Sequence, residues 1–232
     1  MAIVMPIVVH QYSLSKDPQV TTTNRPISQE TLDRARALGT STLYEAAQLP
    51  SIDVDCAIRS IWAGAVVAGE AFPVHCAPAD NLALHVALEL APSGSVLVAA
   101  TSDVVTGFWG EVMTTAAQIR GIAGLVIDGE VRDIAAIRER KFPVFARGIC
   151  MRGPAKGAVV SVGESISLRD TQVARGDLVV GDDDGVVVIP RAAVEKVMAA
   201  AEARAAKEAR IMEQLAEGQT TLELFGLSQW RR

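Results

Sequence analysis

The chain has little cysteine, no run of apolar residues long enough for a bilayer and no surplus of basic charge. Each shortage excludes something. Three cysteines in 232 residues (Cys56, Cys76 and Cys150) are too few and too scattered for a disulfide framework, and they lack the C-x-x-C spacing of zinc or redox sites. Buried thiols in a reducing, cytoplasmic setting are the expectation. No apolar stretch approaches the roughly 20 residues that cross a membrane. The opening MAIVMPIVV has no basic segment before it and is interrupted by Pro6 and then His10, which makes it a poor secretory signal. A net charge of −5 leaves no basic stripe to neutralise phosphates, so nucleic acid is not an expected partner. What is present is ordinary for a globular protein: 50% hydrophobic and 21% charged residues, which rules out disorder and collagen-like repeats.

Patterning divides the chain into three parts. Residues 1–27 read as an irregular extension, residues 28–189 as a core domain and residues 190–232 as a helical extension. Within the core, short helices are expected at 28–38 and 40–49, separated by Gly39. A glycine-interrupted strand follows at 61–76. Helices at 78–91, 110–120 and 131–140 alternate with apolar strands at 95–100, 124–128 and 143–148. That alternation is the signature of parallel βαβ units, hence an α/β fold. Beyond residue 158 the pattern changes to short β segments, with Asp182, Asp183, Asp184 and Gly185 between two apolar runs as the turn of a hairpin. The last helix, about 190–217, would be roughly 40 Å long, against a radius of gyration of roughly 17 Å for a domain of this size. It is therefore expected to leave its own body and pack on a neighbouring copy, in a homo-oligomer.

Three charged residues stand where parallel strands would end. Glu111 opens the helix after strand 95–100, and Arg132–Asp133 opens the helix after strand 124–128. In right-handed βαβ units both strand ends lie on one sheet edge, so these groups can converge across the twenty intervening residues. Both helix N-termini also aim backbone N–H groups at that edge, a ready anion site. Arg132 offers a forked donor to a carboxylate or a developing enolate. Asp133 and Glu111 are hard oxygen ligands of the kind Mg²⁺ accepts. Together these suit chemistry on a 2-oxo acid. The alternative is that the acids only complement helix dipoles and that Arg132 is a surface residue.

The stretch WGEVMTTAAQIRGIAGLVIDGEVRDIAAIRERKFPVFARG, with PADNLALHVALELAPSGSVLVA (78–99) and GDLVVGDDDGVVVIP (176–190), resembles the RraA-like superfamily. That superfamily contains the class II 4-hydroxy-4-methyl-2-oxoglutarate / 4-carboxy-4-hydroxy-2-oxoadipate aldolases and regulators of ribonuclease E activity. The resemblance covers about residues 28–226. It implies a layered αββα sandwich of the swivelling-domain type, assembled as a trimer or hexamer with active sites at subunit interfaces. It also implies Mg²⁺ (or Mn²⁺ or another divalent ion) held directly by Asp133, with Glu111 and a neighbour's Glu208 acting through water. Arg132 would contact the keto and enolate oxygens, and the turn Gly110, Glu111, Val112 and Met113 would bind the substrate carboxylate through the amides of Val112 and Met113. The common pattern has Asp where this chain has Glu111.

The long C-terminal helix points to the aldolase branch. On it Val194, Met198, Ala201, Ala205, Glu208, Met212 and Leu215 step by fours and threes, with Glu208 the one charge on the seam. The implied activity is cleavage of a 4-hydroxy-2-oxo acid to pyruvate, with oxaloacetate decarboxylation as a side reaction. The alternatives are a non-catalytic ribonuclease regulator and a dedicated oxo-acid decarboxylase. A lysine Schiff base is disfavoured, since no lysine falls at the expected edge and Lys141 lies at the far end of its helix. Asn81 and His85, one turn apart, are candidates to face the cleft, with His85 read first as a packing residue. Asp128 is a candidate supporting acid, Glu130 flanks the same edge, and His75 has no assignable partner.

Overall fold

The computed structural model describes residues 25–102 and 104–231. The extension expected at 1–27 therefore falls largely outside the described residues. Its last described residue, Ile27, packs into the core, and its N–H donates to Glu70.

The chain begins with helices α1 (Gln29–Leu38) and α2 (Thr40–Ala47), then β1 (Arg59–Ser60) and β2 (Val67–Cys76). Next come α3 (Leu82–Leu90), β3 (Val96–Ala100), β4 (Gly107–Trp109), α4 (Glu111–Ile119), β5 (Gly124–Val131), α5 (Ile134–Glu139) and β6 (Val144–Ile149). Strands β7 (Val159–Val162), β8 (Ile166–Leu168), β9 (Thr171–Val173), β10 (Leu178–Asp182) and β11 (Gly185–Ile189) follow. A 3₁₀ turn at Arg191–Ala193 leads into α6 (Val194–Ala216), and α7 (Thr221–Leu224) and a 3₁₀ turn at Ser228–Trp230 follow.

The expected βαβ units are present: β2, β3, β5 and β6 run parallel to one another. The main sheet has the order β1-β6-β5-β3-β2-β10-β11, with β4 beside β5 and β7 beside β2. It curls until its two ends approach, where the Arg59 guanidinium reaches the carbonyl of Asp184 in the β10–β11 turn. The result is a nearly closed barrel. Strand β2 makes this curl possible: its first half pairs with β10 and its second half with β3.

Three apolar clusters give the layered arrangement physical content. One lies between α3, α4, α5 and the outer face of the parallel strands. A second fills the barrel, with Val96, Val98, Val126, Phe145 and Val179. The third joins α1, α2 and the start of α6 to β10 and β11. Helix, two sheet layers and helix thus make an αββα sandwich. The barrel filling is tight: a Cβ on Gly181 would sit 2.7 Å from the Phe145 ring, closer than carbon atoms pack.

Several element bounds differ from the sequence reading. The helix expected at 131–140 starts only at Ile134, because β5 continues to Val131 to pair with β6 and β4. The helix expected from residue 78 starts at Leu82, because Ala77 to Asn81 form a turn in which Asp80 accepts the Leu82 N–H. The strand expected at 61–76 begins at Val67. Strand β4, three residues long, lies inside a stretch that reads as loop.

Candidate functional site

Strands β3 and β5 pair with Ala100 opposite Asp128, so their C-terminal ends share one edge. From there β5 delivers Arg132 and Asp133, while β4 delivers Gly110 and Glu111. The two segments are stitched together: the Arg132 N–H donates to the Trp109 carbonyl at 2.8 Å. Asp133 adopts a left-handed conformation (φ 60°, ψ 37°) just before α5, which Asp tolerates better than most side chains. Its Oδ2 then accepts the Glu111 N–H at 3.0 Å and lies 3.9 Å from Arg132 Nε. The twenty-residue gap in sequence therefore closes to hydrogen-bond distance. Gly110 permits this approach, since a Cβ there would stand 2.4 Å from Asp133 Oδ2.

The arginine and aspartate side chains are 42% and 44% exposed, open enough to meet a ligand. Opposite them, α4 makes its first intrahelical bond from Thr114 N–H to Gly110 O at 3.0 Å. The amides of Val112 and Met113 precede that bond, as first-turn amides do, and point out of the helix end. Glu111, by contrast, turns its carboxylate to Arg140 at the end of α5, at 2.9 Å from Nη2 and 3.3 Å from Nε.

The donor set suits a hard divalent ion held in part by water. Among the described residues no group of three or more His, Cys, Asp or Glu side chains is arranged to hold a metal. Mg²⁺ commonly takes one or two carboxylates and keeps its waters. Asp133, partly exposed, fits as the single direct carboxylate, while the Glu111 carboxylate is held by Arg140 and could reach such an ion only through water.

The loop at 150–158 forms the remaining wall. It is pinned rather than free: Gly107 N–H donates to Arg152 O, Cys150 N–H to Val131 O and Ala155 N–H to Ala79 O, at 2.8–3.0 Å. Buried Asp80 receives the N–H groups of Gly157 and Ala158 at 2.6 and 3.1 Å. Arg132 Nη1 lies 3.5 Å from where a Cβ on Gly153 would be. The same loop carries Lys156 close enough to His85 to help hold its pKa below the ordinary 6.5, a shift caused first by burial. Sequence reasoning placed no lysine at this edge and missed Arg140 and Lys156 alike. Neither has a local signal, because both arrive through a crossover or a returning loop.

The other candidates divide clearly. Asn81 is buried and donates from Nδ2 to the Phe108 carbonyl at 2.8 Å, directly behind the β4–α4 turn. His85 is half-buried on α3, and its Nε2 has no hydrogen-bond partner among the described residues. Asp128 points into the barrel mouth and pairs with Arg147 at 2.6 Å and Arg169 at 3.1 Å, with Asp55 on the same Arg147 at 3.0 Å. Glu130 accepts the Thr106 N–H at 3.1 Å. Asp182, Asp183 and Asp184 form the expected hairpin turn and are used there. Asp182 caps α2 through Thr40, Asp183 holds the Gly64 N–H, and Asp184 accepts from Ser41. His75 is exposed on β2.

On α6, Val194, Val197, Met198 and Ala201 are buried against the body of the chain, while Met212 is 65% exposed. Glu208 sits on this outgoing half and pairs with Arg204 at 2.8 Å, an arginine that also reaches Glu45 of α2.

A family model described as RraA-like, Aldolase/RraA, matches residues 40–188. A protein of Halalkalibacterium halodurans, provisionally named a 4-hydroxy-4-methyl-2-oxoglutarate aldolase, is 36% identical over 143 residues, which are 61% of this chain and 68% of the relative. An uncharacterised protein from Pseudomonas syringae pv. tomato superposes with a TM-score of 0.78 at 33% identity, covering 88% of this chain and 96% of the other. At 24% identity, Streptomyces coelicolor RraAS2, described as an unusual member of the RNase ES inhibitor RraA family, shares the fold with a TM-score of 0.68, covering 83% of this chain and 98% of the other. The matched segment holds the whole Glu111 to Asp133 constellation and runs through most of the sheet, and the chain belongs to the RraA-like family.

Proposed function

We propose that the protein is a class II, divalent-metal-dependent aldolase that cleaves a 4-hydroxy-2-oxo acid to pyruvate and a second oxo acid. The candidate substrates are 4-hydroxy-4-methyl-2-oxoglutarate and 4-carboxy-4-hydroxy-2-oxoadipate, and oxaloacetate decarboxylation is the expected side reaction. The observation that carries the reading is the meeting of Arg132 and Asp133 with the open end of α4 at one exposed edge of the sheet.

In this reading the substrate's 1-carboxylate lies against the N–H groups of Val112 and Met113, where the helix end favours negative charge. The Arg132 fork faces the 2-oxo oxygen. As the C3–C4 bond breaks, its electron pair moves into the C2–C3 unit, and the negative charge that grows on that oxygen is met by the guanidinium. A water at this edge takes the 4-hydroxyl proton as the second carbonyl forms and returns a proton to C3 to give pyruvate, with no net proton change. Asp133 is the group that would hold Mg²⁺ or Mn²⁺ directly, with Glu111 acting through water, and the ion would supply Lewis-acid polarisation of the oxo oxygen when bound. The Glu111 N–H holds Asp133 toward that position, and Arg140 holds the Glu111 side chain.

The proposal includes a homotrimer or homohexamer in which Glu208 of one copy exchanges its Arg204 partner to approach the site of another; the exposed outer half of α6 leaves room for such a contact. A non-catalytic regulator built on the same fold is the rival. Pyruvate release from 4-hydroxy-4-methyl-2-oxoglutarate with and without Mg²⁺, measured by coupled lactate dehydrogenase, separates the two. Turnover that disappears with chelator and returns with Mg²⁺ supports the aldolase. Absence of turnover on that substrate, on 4-carboxy-4-hydroxy-2-oxoadipate and on oxaloacetate rejects it.

A further inference from the structure

We infer that Asn81 is a positioning residue for the substrate-carboxylate cradle, an inference that rests on the aldolase reading. Strand β4 is only three residues long and leads straight into α4, so the placement of the Val112 and Met113 amides depends on what holds that strand. One side is held by Arg132, whose N–H donates to the Trp109 carbonyl. The other side is held by Asn81, whose Nδ2 donates to the Phe108 carbonyl at 2.8 Å and lies 3.4 Å from Met113 Sδ. Asn81 thus ties α3 to both the strand before the cradle and a residue within it.

The amide orientation follows from chemistry: a carbonyl can only accept, so the NH₂ group must face Phe108. The consequence is that Oδ1 faces the opposite way, in a residue 4% exposed, with no partner among the described residues. One turn along α3, His85 Nε2 is buried and bare in the same way. Leucine would fill this volume without a bare acceptor, and a buried unsatisfied acceptor is unfavourable. Asn81 therefore does something packing does not: it fixes the Phe108 carbonyl, and through it the angle at which α4 presents its first-turn amides.

The test uses the full chain and oxalate, a planar analogue of the pyruvate enolate. Calorimetric titration of Mg²⁺ alone, and of oxalate in saturating Mg²⁺, is carried out on the wild type, Asn81→Leu and the isosteric Asn81→Asp, alongside steady-state kinetics. The expected result is a loss of about tenfold in oxalate affinity, the scale of one buried hydrogen bond, in both variants. Mg²⁺ affinity should stay within twofold, and KM should rise more than kcat falls. Oxalate affinity that stays within twofold of wild type in either folded variant overturns the assignment, as does a parallel loss of Mg²⁺ and oxalate binding. Wild-type protein that binds Mg²⁺ but not oxalate would count against the aldolase reading itself, and the inference would fall with it.

Discussion

At the scale of single residues, the site depends on how closely two backbone segments approach. Asp133 combines a left-handed backbone, an accepted Glu111 N–H and an exposed carboxylate. Asparagine tolerates the same backbone and can accept the same bond, so Asp133→Asn should fold with a melting temperature close to that of wild type. It should nevertheless lose Mg²⁺ affinity and pyruvate release by at least tenfold; wild-type turnover in this variant would remove Asp133 from the metal site. Gly110→Ala is expected to act on the same group sterically. Its new Cβ would fall 2.4 Å from Asp133 Oδ2 and displace it, so activity should drop by a larger factor than stability, read by kinetics and melting on one preparation.

His85 gives a prediction in pH. Burial and the nearby Lys156 lower its pKa from the ordinary 6.5, with Asp80 partly opposing them. A depressed folded pKa means the contribution to stability is complete above 6.5 and is lost as pH falls through the folded value. Denaturation midpoints measured from pH 7.5 downward should fall more steeply below 6.5 for wild type than for His85→Gln. Parallel slopes would contradict the burial argument.

At the scale of elements, the sequence was most legible where local pattern and tertiary demand agree. The apolar runs of β3 and β5, and the start of α1 at about Ser28, are read directly from residue type and spacing. The acids of the β10–β11 turn were legible as a turn, but not as caps for α2, because their partner Thr40 is 142 residues away. Glu111 and Arg132–Asp133 were legible as a converging set because parallel crossovers place strand ends together. Arg140, Lys156 and the 150–158 loop were not, since nothing in their neighbours specifies where a returning chain lands. The start of α5 was misplaced for the same reason: pairing with β4 and β6 extends β5 beyond its local pattern.

Helix α6 carries its own expectation. Its first two turns are buried against α2 and β10, and its outer half exposes Met212. Ending the chain after Glu202 keeps Val194 to Ala201 and the Arg34–Glu202 ion pair. The truncated protein should still fold cooperatively, with its helical circular dichroism lowered only by the helix removed, but lose assembly in analytical ultracentrifugation, together with turnover. A truncated chain that assembles and turns over like wild type would place the helix outside the site.

At the scale of the molecule, the barrel is closed at the active edge by charge. Asp128 and Asp55 share Arg147, and Arg169 spans the same pair at 3.1 and 3.9 Å. The Ala57 N–H and then Arg147 hold the Asp55 carboxyl below the ordinary carboxylate value of 3.8. The stabilisation from Asp55 is therefore present above that value and lost as pH falls through the lower folded one. Acid unfolding of Asp55→Asn should show a shallower dependence below pH 4 than wild type; identical acid limbs would mean the network carries no linkage. The mouth that these charges brace is the one from which β5 projects Arg132.

A class II aldolase must release pyruvate only with its metal ion bound. Purified protein is stripped with EDTA, supplied with 4-hydroxy-4-methyl-2-oxoglutarate, and assayed for pyruvate before and after addition of Mg²⁺, beside Asp133→Asn. The expected result is turnover restored by Mg²⁺ in the wild type and not in the variant; pyruvate release that persists in EDTA and in Asp133→Asn alike would contradict it.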